Sequence, residues 1–368
     1  MASSELVVPP TTPIQPLPLP FDIETKRVLR KAIEANQRLA ELKGVVRTIP
    51  NDQILINTLL LQEAKDSSAV ENIITTHDEL FQADLFTEKV RSWETKEVLN
   101  YADALRRGHT LVKGSGLLTL PTICEIQKVL EENTAGFRRL PGTTLKNNAG
   151  EVVYTPPQDH ATILELMANL VSYINEPDKD ESNPLVKMAV IHFQFETIHP
   201  FYDGNGRTGR IINILFLTMN GLLNVPILYL SRFIIKNKLD YYRLLQAVRI
   251  NNDDATWEEW VLFMMEGVTQ TATETIKLIE QIQKLMADYK HRIRKALPNV
   301  YSKDLLESLF KHPYTKIEHL QRDLGVHYHT ARSYLEKLAE AGFLAKFSVG
   351  KFSYYINFPL FDLFANQS

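Results

Sequence analysis

Residues 199–210 read HPFYDGNGRTGR, and the punctuation around this run constrains the fold more than any other stretch of the chain. Gly204, Gly206 and Gly209 fit the G-x-G-x-x-G spacing of a dinucleotide-binding turn, but that spacing has meaning only between a strand and a helix. Upstream, PLVKMAVIHFQFETI suits a buried helix that opens at Pro184, a favoured first-turn residue. Pro200 cannot continue it. Downstream, RTGRIINILFLTMNG runs helically to Gly221. The pattern predicts helix, glycine loop, helix, and so excludes a dinucleotide fold built on a parallel sheet.

The loop still suits a phosphate. Glycine lets the backbone approach an anion closely and adopt positive φ. The loop N–H groups gather at a helix N-terminus, where unpaired donors and the helix dipole favour negative charge. Arg207 and Arg210 lie in the first turn of that helix, where cations oppose the dipole unless an anion sits between them. Asp203 is a hard oxygen ligand beside the cradle, suited to magnesium on phosphates. His199 can accept a proton near neutral pH.

Bulk properties narrow the surroundings. A net charge of -3 over 368 residues gives no global attraction to nucleic acid or anionic lipid. The single cysteine, Cys124, cannot form an intramolecular disulfide and reads as a small buried hydrophobe. There is no basic-then-apolar leader and no run of about 18 apolar residues, so the expectation is a soluble cytoplasmic protein without a membrane span. Residues 1–20 hold six prolines and read as an extended arm that packs along the surface or is solvated. Helical periodicity then dominates, and the exception is residues 144–155, where Asn-Asn-Ala-Gly separates two β-prone runs like a hairpin tip. Residues 266–296 have the period of one long amphipathic helix. The last 70 or so residues read helix, turn at Gly325, helix, and two alternating strands around Gly350, the order of a helix-turn-helix with a wing.

The run His199-Pro200-Phe201-Tyr202-Asp203-Gly204-Asn205-Gly206-Arg207-Thr208-Gly209-Arg210 resembles the Fic signature H-P-F-x-D-G-N-G-R-x-x-R at every fixed position. The resemblance implies a mainly α fold: a Fic-type helical bundle with a small β-hairpin flap, here followed by a C-terminal winged helix-turn-helix. It divides the chain into the arm (1–20), an N-terminal helical region (21–93), a catalytic core (94–265), a connecting helix (266–298) and the winged unit (299–368). It implies transfer of AMP from ATP, with Mg2+, onto a Ser, Thr or Tyr hydroxyl of a target protein or of the chain itself. His199 would take the hydroxyl proton, Phe201 would anchor the loop and Asp203 would hold magnesium. Gly204, Asn205, Gly206, Arg207, Thr208, Gly209 and Arg210 would bind the triphosphate, with Arg210 on the γ-phosphate. Tyr241 would lie at the adenine. Thr144, Leu145, Lys146 and Asn147 would form the flap that pairs with a target segment.

SSAVEN, residues 67–72, resembles the family's inhibitory pattern [ST]-x-x-x-E-[GN] through Ser67, Glu71 and Asn72. By that resemblance Glu71 would fork onto Arg210 and deny it to the γ-phosphate, and the same carboxylate could position a water to remove AMP. Other donors, phosphate or phosphocholine, and a transcription regulator with a nucleotide-sensing Fic domain, stay open as alternatives. In the winged unit, eight Lys/Arg against seven Asp/Glu over residues 301–368 favour a protein or self-association role, such as a homodimer, over DNA. His327 and His329 at its turn lack a cysteine or acidic partner at ligand spacing.

Overall fold

The helix expected from Pro184 is the middle of the first of two compact units into which the chain divides, described separately below. The coordinates are a computed structural model that describes residues 14–51, 53–85, 92–147, 149–349 and 352–365. Residues 1–13 of the proline-rich arm and Gly350, expected between the last two strands, lie outside the described residues. Among the described residues are fifteen α-helices and five short strands, the mainly α architecture expected from the motif.

The first unit comprises Met1–Leu39, Asp103–Pro226 and Leu230–Gln270. It holds most of α1 (Lys26–Val46) and α4 (Trp93–Ser115), then α5 (Leu120–Glu131) and the hairpin β1 (Leu145–Lys146) and β2 (Val152–Tyr154). There follow α6 (His160–Asn175), α7 (Pro184–Ile198), α8 (Asn205–Met219), α9 (Leu230–Lys236), α10 (Lys238–Asn251) and the start of α11 (Asp254–Ala296). Asn183 caps α7, its Oδ1 accepting from Leu185 N at 3.0 Å, with Pro184 in the first turn as the sequence suggests. Every residue of α7 from Leu185 to Ile198 is buried. A helix buried on all sides is a core helix, and α7 is packed by α8 and α6 while Trp260 of α11 donates its indole N–H to Ala189 O at 2.9 Å. The arm packs here too: Leu17 is 4% exposed, and its N–H and C=O both bond to the Asn169 carboxamide at 2.8 Å.

The second unit comprises Ala40–Ala102, Ile227–Tyr229 and Thr271–Ser368. It contains α2 (Gln53–Val70), α3 (His77–Leu85) and the remainder of α11, the long helix expected over 266–296. After α11 come α12 (Lys303–Lys311), β3 (Tyr314–Lys316), α13 (Ile317–Leu324), α14 (Tyr328–Glu340), β4 (Ala345–Val349), β5 (Phe352–Ile356) and α15 (Phe358–Ala365). The strands form an antiparallel sheet in the order β3-β5-β4, with Tyr314 opposite Ile356 and Ala345 opposite the same residue. Gly325, at φ 63°, ends α13 in the left-handed conformation that glycine adopts without a Cβ clash, as expected at that turn. Helix, turn, helix and hairpin (α13, α14, β4, β5) follow the expected order, and α12, β3 and α15 are additions the sequence reading did not contain. Leu360 and Phe364 of α15 are buried.

Candidate active site

Ile198 ends α7 and His199 turns the chain with φ 49°, a left-handed conformation unfavourable for a residue with a Cβ. Such a residue persists when its surroundings over-determine it. Three side chains of the same unit do so. Arg138 Nε donates to His199 O at 2.7 Å and its Nη2 to Pro157 O at 2.5 Å, while its own N–H bonds Pro200 O at 2.9 Å. Arg249 Nη2 donates to Glu196 O at 2.9 Å and Nε to Thr197 Oγ1 at 3.3 Å. Tyr154, at the end of β2, donates its hydroxyl to Thr197 O at 3.0 Å under the Arg249 guanidinium, 4.2 Å from the ring centre. Two cations at a helix C-terminus are electrostatically favourable. They also act on the imidazole. Burial first, then the charges of Arg249 and Arg138, push His199 down to about 3, against a weaker upward pull from the Glu196 carbonyl. The ring is therefore neutral at physiological pH and able to accept a proton.

The glycine loop follows. Phe201 is fully buried against Phe137, ring centres 5.1 Å apart, so the loop is anchored from the core. The Asn205 carboxamide bonds both the N–H and the C=O of Phe201 at 2.8 Å, which fixes the loop's curvature. Tyr202 hydroxyl accepts from Arg139 N and Leu140 N at 2.9 and 3.0 Å, joining the loop to the segment before the hairpin. Gly204 sits at φ 76°, and a Cβ there would lie 2.3 Å from Glu131 Oε1. It is the N-cap of α8 and, having no side chain, contributes no side-chain cap to the first turn. A glycine-led helix start is what an anion site needs. Gly209 meets a different demand, because a Cβ there would lie 2.7 Å from Glu196 Oε1 and 3.1 Å from Phe195, so glycine lets α8 approach α7.

The two arginines differ. Arg207 Nη2 is paired with Glu131 Oε1 at 2.7 Å, both side chains nearly buried. A phosphate at Arg207 would have to share or replace this carboxylate, a partner the sequence reading did not contain. Arg210 is 2% exposed, and its charge adds to burial in holding His192 down to about 3. Thr208 is fully buried, and among the described residues its hydroxyl has no hydrogen-bond partner. Asp203 is exposed at the loop, and its Oδ1 accepts from Gly204 N at 2.8 Å. Among the described residues no cluster of three ligating side chains exists. Magnesium commonly takes one or two carboxylates, substrate phosphates and waters rather than an all-protein cage, so a single exposed carboxylate at the anion site fits it.

Tyr241 is placed inward. It is 1% exposed, and its hydroxyl lies 2.8 Å from His192 Nε2, while Asn213 Nδ2 donates to His192 Nδ1 at 3.0 Å. The ring that reaches the surface at this turn is Tyr242, 44% exposed. In the hairpin, Leu145 pairs with Tyr154 and Lys146 with Val152, with a register irregularity between them. Thr144, Leu145, Lys146 and Asn147 all reach solvent, and as one strand of a two-stranded sheet β1 has an outer edge that pairs with no other described strand. Gln246 of α10 donates to Val153 O at 2.8 Å and steadies the hairpin from behind.

Ser67, Glu71 and Asn72 belong to the other unit. Ser67 is fully buried near the end of α2, and Glu71 is exposed just past its last residue. Ile73 N bonds Ser68 O at 3.0 Å, and Asn72 takes φ 62°. The position after the glutamate thus needs a residue tolerant of the left-handed region, which is the physical content of Asn or Gly in that place.

Residues 29–110 match the profile described as Fic/DOC family N-terminal, and residues 117–217 that of the Fic/DOC family. Residues 285–360 match the profile described as protein adenylyltransferase SoFic-like, C-terminal domain. The chain belongs to the Fic/DOC family. It is 40% identical over 73 residues to a probable protein adenylyltransferase of Aquifex aeolicus, 20% of this chain and 22% of that one. It is 28% identical over 154 residues to the protein adenylyltransferase Fic of Nematostella vectensis, 41% of this chain and 34% of that one. The chain spans between 16% and 34% of the length of the curated relatives it matches. A crystal structure of a Fic family protein from Desulfovibrio desulfuricans shares the fold at TM-score 0.60 and 20% identity, over 93% of this chain and 98% of that one.

Proposed function

We propose that this chain is a protein adenylyltransferase held in check by its own N-terminal region, moving AMP from ATP to Ser, Thr or Tyr hydroxyls of target proteins and of itself. The observation that carries the reading is a neutral histidine, fixed in a strained cap, beside a glycine-led helix N-terminus. That pairing sets a proton acceptor next to an anion cradle. The target hydroxyl oxygen attacks the α-phosphorus and its proton passes to His199. The bond from the α-phosphorus to the bridging oxygen breaks, and diphosphate leaves. Gly204, Asn205 and Gly206 shape the loop whose N–H groups receive phosphate, and Thr208 and Gly209 set the first turn of α8. Arg207 and Arg210 supply positive charge where it is already oriented, the largest single contribution in reactions of this kind. A triphosphate entering the site would oppose the charges of Arg249 and Arg138 and raise His199 toward its ordinary range, which makes it a stronger base when substrate is bound. Asp203 would hold magnesium, which supplies charge neutralisation on the α- and β-phosphates. The β1 edge, Thr144 to Asn147, would take a target segment by strand pairing. Tyr241 would support the adenine pocket through its bond to His192.

Glu71 is read as the inhibitor, competing with the γ-phosphate for Arg210. The names of the relatives and the glycine-led cradle support AMP transfer over the other donors. In the C-terminal unit, Arg332 is paired with Glu336 at 3.0 Å and Lys346 shares that carboxylate at 3.3 Å, so these cations are already matched. This favours a protein partner there over DNA.

The test is incubation of the full chain and of Glu71→Gly with magnesium and ATP labelled at either the α- or the γ-phosphate. Label retained from α, and strongly increased in Glu71→Gly, is the expected result. Label from γ alone would overturn AMP transfer. Equal labelling of the two proteins would remove the inhibitory role of Glu71 and leave the transferase assignment standing.

A further inference from the structure

The segment that carries Glu71 is bracketed, within the second unit, by contacts to the C-terminal domain. Before it, Asn57 Nδ2 donates to His312 Nε2 at 3.1 Å, at the end of α12. Gln62, 2% exposed, donates its Nε2 to Phe364 O of α15 at 3.2 Å, and its Oε1 lies 3.1 Å from His77 Nε2 at the start of α3. After it, the Asp78 carboxylate accepts from the Tyr314 hydroxyl of β3. Phe81 of α3 stacks on Tyr314, ring centres 5.8 Å apart and planes 15° from parallel, and meets Phe361 and Phe364 of α15 at 6.1 and 6.3 Å. Helix α3 has nine residues, too short to persist on its own in water. Its order depends on these contacts, and the turn leaving Glu71 is held between two elements that the C-terminal domain grips.

We propose that the C-terminal domain is the regulatory clasp of the inhibitory segment: Phe81, Asp78 and Gln62 transmit its position to Glu71, and anything that loosens the domain from α2 and α3 switches transfer on. This rests on the autoinhibition reading above. The sequence treats residues 67–72 and the last 70 or so as distant regions, and only the fold places them in one unit.

The experiment uses the full chain, with self-labelling from α-labelled ATP and hydrogen exchange across residues 66–76 as paired readouts. Phe81→Ala is expected to speed exchange in that segment and to raise self-labelling several-fold, approaching Glu71→Gly. In the Glu71→Gly background it is expected to add nothing, because the inhibitor is already absent. Faster exchange with unchanged labelling overturns the clasp, as does a rise of equal size in both backgrounds. Should Phe81→Ala not fold, Gln62→Ala removes both of that side chain's bonds and is read in the same way. If Glu71→Gly activates and neither clasp variant does, only this proposal fails. If Glu71→Gly itself gives no gain, the autoinhibition reading fails and the clasp with it.

Discussion

The C-terminal end of α7 takes hydrogen bonds from three side chains, whereas α8, whose cap lies five residues on, opens at a glycine that brings no capping side chain of its own. Both ends start with unpaired backbone groups, as every helix does. At α7 the protein fills them with its own Arg138, Arg249 and Tyr154. At α8 the cap residue contributes backbone alone. The contrast separates two jobs inside twelve residues of sequence: the closed end fixes the geometry of His199, and the open end receives charge.

Three substitutions probe that contrast, in descending order of effect. His199→Ala removes the proton acceptor and nothing from the cradle. Transfer should fall by roughly 10²–10⁴ while ATP affinity, measured by calorimetry, stays near wild type. Comparable loss of ATP binding would mean the closed and open ends are not separable. Arg138→Ala opens the closed end by stranding the carbonyls of His199 and Pro157. It should lower stability by about 1–3 kcal/mol in thermal unfolding. It should also cut transfer about 10²-fold through misplacement of His199. A lower melting point with normal turnover would reduce Arg138 to a packing role.

The smallest effect is one of pH. His192 is held neutral down to about 3, against 6.5 for the free side chain. Between those values the unfolded chain binds the extra proton, so its contribution is complete above about 6.5 and is lost as the pH falls toward about 3. Thermal unfolding followed from neutral pH downward should show a steeper decline for wild type than for His192→Gln, whose side chain does not titrate. His199 titrates in the same direction and remains in both proteins. Parallel curves would assign the acid sensitivity to other groups.

Much of the open end was legible in the sequence. Pro184, Pro200 and Gly204 mark where helices start and stop, and they do so through backbone constraints that need no tertiary partner. The hairpin tip and the turn at Gly325 were readable for the same reason. The closed end was not. Nothing in FRRLPG distinguishes Arg138 from Arg139, since the carbonyls that Arg138 serves belong to residues 157, 198 and 199. Likewise Glu131 looks like an ordinary helix-end glutamate until Arg207 is found 2.7 Å from it. The inward placement of Tyr241 against His192 also depends on packing between α7 and α10, and YY in sequence does not say which ring faces in. Local rules report on backbone shape, and partners across the chain need the fold.

The hydrogen that Gly204 carries in place of a side chain ties two distant positions together. Glu131 occupies the volume that a Cβ at 204 would claim, and it is held there by Arg207. Neither position can change size alone. A methyl group at 204 has room only if residue 131 is shortened, and a shortened residue 131 leaves the Arg207 charge looking for another acceptor. At φ 76° a side chain at 204 would be strained even with that room, so the backbone and the Glu131 carboxylate both hold the position to glycine.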